Sequence, residues 1–485
     1  MKHSRLQLNN PKTKIICTLG PSTNSTKIIT KLIQSGMSIA RLNMSHGSLE
    51  SHENLIKKIR EISDKLNTPI AIMIDIPGPK YRIGKLEEKQ YTLKKNNTIT
   101  LTSENLVGND TIVSVQPNGI HNDIKINTSI LIDDGLIKLK AIKIDGNNIL
   151  CKILNNGQIS EKKGVTIPGK PTSLIFPDER SIECLQFADK QNPDFIALSN
   201  ITSAKDILKA KSLIKKTKNP CHIISKIERV EAVKNIDQII TVSDAVMVAR
   251  GDLGVEMPIA EVPIIQKKII SLCNKNGIPV ITATQMLESM IHSPTPTRAE
   301  VTDVANAIFD GTDAIMLSAE TSIGQYPIQS VQVMAKIAKK TESALPYESI
   351  LRDKSLQIQA KTEDSISYNA CWSAYQLKAK LIVAFTESGS TAGRVSRYRP
   401  ITKILTLTRR KDVQRRLTLR WGIIPIIVNE LHSVEDFFSI ALEQAILNVG
   451  LHPNDLLILI AGLPIGVQGG TNLLRVMKIP HSNEK

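Results

Sequence analysis

Short apolar runs rich in Ile, Val and Ala recur along the first two thirds of the chain, and several are followed by a helical pattern. Eight such runs occupy residues 14–20, 39–45, 70–75, 194–200, 222–228, 245–252, 279–285 and 313–320. They alternate little between polar and apolar positions, which is typical of strands buried on both faces of a parallel sheet. Helical patterns between them cover residues 48–66, 204–216, 261–276 and 327–342. Eight strand–helix units predict an α/β fold, a (β/α)8 TIM barrel with its functional residues at the carboxyl ends of the strands.

Two further regions depart from this repeat. Residues 78–170 alternate short strand-like runs with turns, including Asp-Gly pairs at 134–135 and 145–146 that indicate hairpins, so we predict a β-rich lid inserted after strand 3. Strand-like runs in the last third cover residues 380–386, 403–408, 423–429 and 455–462. The predicted domains are a barrel catalytic domain (1–77 and 171–345), the lid (78–170) and a C-terminal α/β regulatory and oligomerisation domain (346–485).

Charge and composition narrow the classes of function. There are 62 Lys and Arg residues against 46 Asp and Glu, giving a net charge of +16 over 485 residues, which attracts anions. Aromatic residues are only 3% of the chain, and the basic residues are scattered. Small anionic ligands are therefore favoured over nucleic acid, although a basic nucleic-acid-binding protein stays open as an alternative.

The compartment also follows from the sequence. No apolar run approaches the roughly 18 residues of a membrane span, and the first ten residues contain no signal-like stretch, so we expect a cytoplasmic protein without membrane contact. The six cysteines form no CxxC pair, and we expect them to be buried small hydrophobic residues. They are Cys17, Cys151, Cys184, Cys221, Cys273 and Cys371.

Candidate chemistry concentrates at the ends of strands five and six. Lys226 and Glu228 are two residues apart, and Gly251 precedes Asp252 just past the next strand. Two carboxylates facing a common centre suit a hard cation such as Mg²⁺, and a neighbouring ammonium stabilises a transferring phosphoryl group. Gly251 lets an anion approach backbone N–H groups. The alternative is a structural salt bridge of Lys226 at the barrel rim.

Polar residues also follow most of the other strands. They are Arg41, Asn43, Ser45 and His46 after strand two, Asp75 at strand three, Thr284 and Gln285 at strand seven, and Ser318 and Glu320 at strand eight. Because the carboxyl ends of barrel strands meet at one face, this repetition favours a functional site over isolated structural pairs.

Seven segments together resemble the motifs of the pyruvate kinase family. They are TKIICTLGPS, ARLNMSHG, ISKIE, MVARGDLGVE, ATQMLESM, PTRAEVTDVANA and DGTDAIMLSAET, and the resemblance extends from about residue 12 to residue 475. It implies Mg²⁺-dependent phosphoryl transfer from phosphoenolpyruvate to ADP, giving pyruvate and ATP in the last step of glycolysis, by a homotetramer; Mn²⁺ is an alternative metal. A Mg²⁺-dependent barrel lyase or aldolase that stabilises an enolate is the rival enzyme.

The resemblance also implies residue roles. Lys226 would stabilise the transferring phosphoryl group, which Arg41 would contact, and Glu228 and Asp252 would hold the metal. The remaining roles are the substrate carboxylate (Gly251, Asp252 and Thr284), the nucleotide (Asn43, His46, Arg82 and Lys163) and proton delivery to the enolate (Ser318 and Glu320).

The sequence departs from the family near the hinge of the lid. In most members, counterparts of Asn43, Ser45, Asp75 and a threonine hold K⁺, but Ile76 replaces that threonine and Lys80 replaces a glutamate. An ammonium supplies the same single positive charge, so we predict activity without K⁺. A solvated lysine at the hinge is the alternative.

Two other segments also differ. The strand-four loop, residues 199–202, lacks the usual arginine, and the hinge segment 170–177 differs from the family pattern. Any role that the family assigns to either segment is therefore unsafe to transfer to this chain.

A hydroxyl-rich loop in the C-terminal domain is a candidate regulatory site. Backbone N–H groups, hydroxyls and a helix N-terminus can form a phosphate pocket, which by resemblance would bind a sugar phosphate, with AMP as another candidate effector. A tight turn that caps the next helix is the alternative. The residues concerned are Thr386, Ser388, Gly389, Ser390, Thr391 and Arg394.

Overall fold

The first three strands begin a closed parallel sheet. The computed structural model describes residues 10–169, 173–214, 221–431, 433–464 and 470–480. Its first elements are β1 (Lys14–Thr18), α1 (Thr26–Ser35), β2 (Met37–Asn43), α2 (Leu49–Lys65) and β3 (Ala71–Ile76). Ser25 and Ser48 accept backbone N–H groups at the starts of α1 and α2, which explains where both helices begin.

The insert after β3 is a second closed barrel. Seven strands close in the order β10-β6-β7-β4-β12-β8-β9, and β5 pairs with β11 in a separate ribbon. The Asp-Gly pairs join the antiparallel hairpins β8–β9 and β9–β10, as predicted, with Gly135 at φ +90° and Gly146 at φ +56°. The elements are β4 (Tyr81–Ile83), β5 (Gln90–Leu93), β6 (Thr98–Thr102), β7 (Ile112–Gln116), α3 (Ile120–Asp123), β8 (Ser129–Ile132), β9 (Ile137–Asp145), β10 (Asn148–Ile153), β11 (Gly157–Ser160) and β12 (Gly164–Thr166).

After the insert, five more strands complete the parallel barrel in the order β1-β17-β16-β15-β14-β13-β3-β2, which confirms the predicted fold class. The four predicted helices match α2, α5, α9 and α12, although residues 215–216 of the second prediction lie outside the described residues. The elements are α4 (Glu179–Gln191), β13 (Phe195–Leu198), α5 (Ala204–Leu213), β14 (His222–Ile227), α6 (Val230–Lys234), α7 (Ile236–Val242), β15 (Ala245–Ala249), α8 (Arg250–Glu256), α9 (Val262–Asn276), β16 (Val280–Ala283), α10 (Arg298–Phe309), β17 (Ala314–Leu317), α11 (Ala319–Ser322) and α12 (Pro327–Ser343).

Side chains fill the interior of this barrel. Ile16, Met73, Phe195, Met247 and Ile281 belong to one buried cluster contributed by five different strands. A filled interior leaves the carboxyl ends of the strands as the place where polar groups can meet a ligand.

Two of the apolar runs, 245–252 and 313–320, extend beyond their strands. Gly251 and Asp252, expected just past the end of a strand, lie in the first turn of α8, and Ser318, expected at the end of strand eight, is the residue before α11. The polar ends of both runs begin helices instead, so their backbone N–H groups face the carboxyl end of the barrel.

The C-terminal domain is a five-stranded sheet flanked by helices, in the order β20-β19-β18-β21-β22. The four predicted strands correspond to β18–β21. The antiparallel edge strand β22 was missed because most of its residues are partly or fully exposed and it carries Arg475 and Lys478. The elements are α13 (Tyr347–Ser355), α14 (Thr362–Gln376), β18 (Leu381–Phe385), α15 (Ser390–Arg397), β19 (Ile404–Thr408), α16 (Lys411–Leu417), β20 (Ile423–Ile427), α17 (Val434–Val449), β21 (Leu456–Ala461) and β22 (Leu473–Lys478).

Ion pairs fasten this domain to the barrel. Asp194, just before β13, accepts Arg415 Nε of α16 at 2.7 Å, and Asp313, just before β17, accepts Arg399 Nη1 at 2.7 Å. The six cysteines are free and buried, as expected. Within the described ranges, no helix is both long enough and apolar enough to cross a bilayer.

Candidate active site

Asp75 joins two cationic side chains at the carboxyl end of β3. Its Oδ2 accepts a hydrogen bond from Arg41 Nε at 2.8 Å, and its Oδ1 accepts one from Lys226 Nζ at 3.2 Å. Arg41 Nη1 also donates to Thr18 Oγ1 at 2.9 Å. Burial alone would raise the pKa of Asp75, but Lys226 and Arg41 outweigh it and hold that pKa below its ordinary value. Asp75 is therefore an ionised counter-charge for both cations.

Lys226 also contacts the candidate metal ligand on its own strand. Its Nζ lies 2.7 Å from Glu228 Oε1 and donates to Ser199 Oγ at 2.7 Å. Burial disfavours the ammonium, but Asp75 and Glu228 outweigh it and raise the pKa of Lys226 above its ordinary value. Lys226 is consequently charged at physiological pH.

Glu228 is fixed at both carboxylate oxygens. Besides the contact with Lys226, its Oε2 accepts the Asn200 backbone N–H at 2.8 Å. The side chain is almost fully buried, and burial raises the pKa of Glu228 although Lys226 opposes that rise. The strand-four loop, residues 199–202, thus contributes Ser199 to Lys226 and Asn200 to Glu228.

Asp252 lies in the first turn of α8 and faces the insert. Lys80 Nζ donates to its Oδ1 at 3.2 Å and lies 3.7 Å from Asp134 Oδ1 in the β8–β9 turn. Burial disfavours the ammonium, but Asp252 and Asp134 outweigh it and raise the pKa of Lys80. Glu228 lines the same cleft between barrel and insert as Lys80 and Asp252. A charged Lys80 therefore bridges the two domains beside both candidate metal ligands.

The residues of the predicted monovalent-cation region contact different partners in the structure. Asn43 Oδ1 accepts the Ser45 backbone N–H at 3.2 Å, and Asp75 is bound to Arg41 and Lys226. Among the described residues, the ion pairs of Lys80 are with Asp252 and Asp134, so its charge lies on the side of the metal ligands.

The hinge chain that leads to Lys80 packs tightly on the strand-four loop. A Cβ atom on Gly78 would lie 2.1 Å from the Ser199 carbonyl oxygen. Only glycine permits this approach. Gly78 therefore lets the chain segment that enters the insert pack against the loop that contacts Lys226 and Glu228.

Thr284 occupies a left-handed backbone conformation, with φ +67°, and Gln285 follows at φ +52°. This conformation is strained for a β-branched residue. Arg250 Nη2 donates to the carbonyl oxygens of Thr284 at 2.7 Å and Gln285 at 3.1 Å, and its Nη1 donates to Asp303 at 2.7 Å. Arg250 therefore holds the strained segment in place.

In this backbone conformation, the Thr284 side chain contacts the start of α8. Thr284 Oγ1 accepts the Gly251 backbone N–H at 2.7 Å and donates to the Ala283 carbonyl at 2.6 Å. The proposed carboxylate-binding residues Gly251 and Thr284 are thus in contact, and their polar groups are paired with each other.

Glu320 and Ser318 form a small buried unit after β17. Glu320 accepts the Ser318 backbone N–H at 2.7 Å and the Leu287 backbone N–H at 3.1 Å. Burial raises the pKa of Glu320. The Ser318 hydroxyl oxygen is buried and has no hydrogen-bond partner among the described residues, so it is free to bond to water or substrate.

The four predicted nucleotide residues contact local partners. Asn43 and His46 lie on the barrel, where the His46 carbonyl oxygen is 2.7 Å from His52 Nε2. On the insert, Arg82 Nη1 donates to the Lys162 carbonyl at 2.9 Å, and Lys163 Nζ pairs with Asp133 at 3.0 Å. Within the described ranges, no hydrogen bond or ion pair joins the barrel residues to Arg82 or Lys163.

The donor set at Glu228 and Asp252 fits a hard divalent cation that shares its other ligands with substrate and water. Among the described residues, no group of three or more His, Cys, Asp or Glu side chains could hold a metal ion by itself. Mg²⁺ commonly binds through one or two carboxylates while substrate oxygens and water complete its shell. Two carboxylates that line one cleft meet that requirement.

The candidate regulatory loop is ordered by its own hydroxyls. Thr386 Oγ1 accepts the Gly389 backbone N–H at 2.9 Å, and Gly389, at φ +91°, precedes α15. Ser388 Oγ donates to Ser390 Oγ at 3.1 Å. Thr391 and Arg394 both reach Thr471 Oγ1, at 2.8 and 3.4 Å.

Sequence reasoning gave no role to several residues that the structure places at the site. Thr18 positions Arg41, Ser199 contacts Lys226, and Arg250 holds Thr284. For Arg250, its position beside Gly251 and Asp252 was an available signal. Thr18 ends its strand and Ser199 follows its strand, in the same way as the polar residues that were selected.

Comparisons with known proteins agree with this geometry. The family model "Pyruvate kinase, barrel domain" matches residues 10–331, and "Pyruvate kinase, alpha/beta domain" matches residues 364–477. The pyruvate kinase of Clostridium acetobutylicum is 41% identical over 96% of this chain and 99% of the relative, and that of Staphylococcus aureus (strain MRSA252) is 40% identical over 96% of this chain and 80% of the relative. A crystal structure of a pyruvate kinase from Cryptosporidium parvum has a TM-score of 0.92 at 36% identity, covering 99% of this chain and 98% of that one. With its barrel, inserted β domain and C-terminal α/β domain, the chain belongs to the pyruvate kinase family.

Proposed function

We propose that this protein transfers the phosphoryl group of phosphoenolpyruvate to ADP, producing pyruvate and ATP, with Mg²⁺ as the metal and Mn²⁺ as an alternative. The observation that carries the proposal is the buried cluster of Arg41, Asp75, Lys226 and Glu228, which lies at the carboxyl end of the barrel and opens beside Asp252. Fixed cations beside two carboxylates suit a reaction in which charge spreads over phosphoryl oxygens.

Each part of the cluster has one role in this proposal. Glu228 and Asp252 would hold the metal, which supplies positive charge to the phosphoryl oxygens when bound. Lys226 donates to the transferring group, and Arg41 binds its oxygens. Asp75 touches no substrate and keeps both cations oriented through its hydrogen bonds of 3.2 and 2.8 Å.

The remaining substrate contacts come from the ends of strands β15, β16 and β17. The backbone N–H groups of Gly251 and Asp252, with the Thr284 hydroxyl, bind the substrate carboxylate, which requires Thr284 Oγ1 to release its bond to Gly251. The unpartnered Ser318 hydroxyl, beside Glu320, is suited to pass a proton to the enolate through water. Asn43, His46, Arg82 and Lys163 are proposed for the nucleotide, since insert and barrel together would enclose ADP.

A coupled assay of pyruvate release tests the reaction, with ADP and Mg²⁺ each omitted in turn. We expect no pyruvate without ADP and none without a divalent metal. Pyruvate released from phosphoenolpyruvate at an unchanged rate without ADP would mean that water accepts the phosphoryl group, and would refute the kinase reaction. Salt-sensitive retention of RNA without turnover would favour the nucleic-acid-binding alternative.

We also propose that the reaction needs no K⁺. Lys80 Nζ, held between Asp252 and Asp134, supplies a fixed positive charge beside the metal ligands, and Ile76 offers no hydroxyl to a monovalent ion. Turnover in buffer without sodium or potassium tests this: the rate should match that in K⁺, whereas a strict requirement for K⁺ would refute it.

Two properties of the whole protein are further proposals. The loop from Thr386 to Thr391, with Arg394, would bind a sugar phosphate or AMP as effector, and activation curves with each compound test that role. A homotetramer is supported by exposed apolar side chains on the α9 and α10 side of the barrel: Ile259, Ile264 and Phe309 are 78%, 69% and 49% exposed. Light scattering on the purified protein should give four times the chain mass of 53.4 kDa.

A further inference from the structure

Two charged residues outside the proposed chemistry link the elements that carry the two metal ligands. Arg229 follows Glu228 at the end of β14, and Glu256 closes α8, one turn beyond Asp252. Arg229 Nε lies 3.3 Å from Glu256 Oε1, and the two side chains are only 10% and 6% exposed. This ion pair therefore connects the strand end that presents Glu228 to the helix that presents Asp252.

Glu256 also lies beside the segment through which the chain returns from the insert to the barrel. Gly169, just past the last insert strand β12, lies beside Glu256, and its backbone N–H acts to lower the pKa of Glu256. Arg229 and Glu256 line the cleft between barrel and insert together with Glu228 and Asp252. The pair thus touches three elements: both ligand-bearing segments and the returning chain of the insert.

Burial does not favour a charged Glu256. It raises the pKa of Glu256 to about 7, an effect that Arg229 opposes and Glu231 reinforces. A buried pair of this kind is weak evidence for stability, because its desolvation cost offsets the attraction. Its position between the two ligand segments supplies another reason for its presence.

We propose that Arg229 and Glu256 form a positioning pair that sets the spacing of Glu228 and Asp252 for the divalent metal and ties that spacing to the return strand of the insert. The inference rests on the proposed function, since it assumes a metal at these two carboxylates. Neither residue of the pair is assigned a contact with substrate, and both act through their neighbours.

Direct binding of Mn²⁺, followed by electron paramagnetic resonance of the free ion, tests the pair without relying on turnover. The full-length protein is titrated with Mn²⁺ in the presence of phosphoenolpyruvate, as wild type, Glu256→Gln and Glu231→Gln. Glu231 is the matched control, because it also faces Arg229, at 3.6 Å, but lies on α6 and not on α8. Changes to groups that orient metal ligands typically weaken metal affinity 10–100-fold.

We expect Glu256→Gln to bind Mn²⁺ about tenfold more weakly and Glu231→Gln to stay within about twofold of wild type. Because Glu256→Gln removes a buried counter-charge of Arg229, it should also lower the melting temperature, so all three proteins are titrated well below the melting temperature of the least stable one. Equal Mn²⁺ affinity of wild type and Glu256→Gln would overturn the inference while leaving the proposed metal site intact. If the wild type itself binds no Mn²⁺ with phosphoenolpyruvate present, the proposed metal site is wrong and the inference fails with it.

A second pair of variants separates the two contacts of Glu256. Glu256→Gln keeps an oxygen for the Gly169 N–H, whereas Glu256→Ala removes it. Hydrogen exchange at the Gly169 amide should stay near the wild-type rate in the first variant and become faster in the second. Equal exchange in Glu256→Ala and wild type would overturn the link to the insert.

Discussion

Replacing Asp75 with Asn would remove the counter-charge shared by Arg41 and Lys226 while keeping the shape of the side chain. Asp75 is 1% exposed, and its two oxygens accept from Arg41 at 2.8 Å and from Lys226 at 3.2 Å. Without its charge, Lys226 keeps Glu228 as a counter-charge, whereas Arg41 keeps no ion pair among the described residues. Breaking a buried ion pair on one side costs about 3–5 kcal/mol, because an uncompensated charge remains.

That cost has a thermal consequence that can be measured. At about 2–4 °C per kcal/mol for a domain of this size, Asp75→Asn should lower the melting temperature of the barrel by about 6–20 °C. Misplacing Lys226 should also lower kcat about 100-fold, since small displacements of a positioned group carry penalties of this size. Calorimetry and the coupled pyruvate assay, both run below the new melting temperature, give the two numbers.

Ser199→Ala is the control for this experiment. It removes the hydroxyl that contacts Lys226 at 2.7 Å and Asp75 at 3.2 Å but changes no charge, so it should cost only about 1 kcal/mol. A melting temperature of Asp75→Asn within 2 °C of wild type, together with a kcat within threefold, would refute the reasoning from charge balance.

Three other predictions follow from named contacts. The Lys80→Glu variant should either require added K⁺ for turnover or lose activity, because Ile76 offers no hydroxyl to the ion and limits the rescue by K⁺. Unchanged activity of the variant in K⁺-free buffer would contradict the role of Lys80. Burial lowers the pKa of Lys14 to about 7, so between pH 7 and 10.5 the unfolded chain binds more protons than the folded one and stability rises with pH. In Lys14→Met, this rise in the free energy of unfolding should be smaller by about 3–6 kcal/mol. Melting temperatures of wild type and Lys14→Met that change in parallel with pH would contradict this prediction. Arg394→Ala should raise the concentration of sugar phosphate or AMP needed for half-maximal activation about tenfold. Identical activation curves of variant and wild type would show that Arg394 does not bind the effector.

Most of the barrel could be predicted because its strands are buried on both faces and leave continuous apolar runs. Strand ends were harder: the runs 245–252 and 313–320 turn polar where a helix begins, and polar residues after a strand do not by themselves distinguish a loop from a helix start. The closed barrel of the insert could not be predicted from the sequence. Its strand order depends on pairs such as β6 with β10, which are distant in the chain. The edge strand β22 was missed because Arg475 and Lys478 interrupt its apolar residues and leave no continuous apolar run.

At the site, the sequence indicated which residues take part, but not which of them contact each other. Lys226, Glu228 and Asp75 were selected, but the shared position of Asp75 between two cations depends on strand neighbours far apart in the chain. The left-handed backbone of Thr284 could not be expected for a β-branched residue, because Arg250 holds it from another strand end. Lys80 was assigned to the monovalent-cation region by resemblance, but its ion pairs with Asp252 and Asp134 depend on the fold of the insert and could not be predicted from the sequence.

Replacing Lys226 with Met tests the central claim most directly. Lys226→Met keeps the length of the side chain and removes the charge that lies 2.7 Å from Glu228. With saturating phosphoenolpyruvate, ADP and Mg²⁺, the variant should form pyruvate at least 100–1,000-fold more slowly than wild type, about the effect of deleting one preorganised donor to developing charge. A Lys226→Met protein that is folded and forms pyruvate at the wild-type rate would contradict the account.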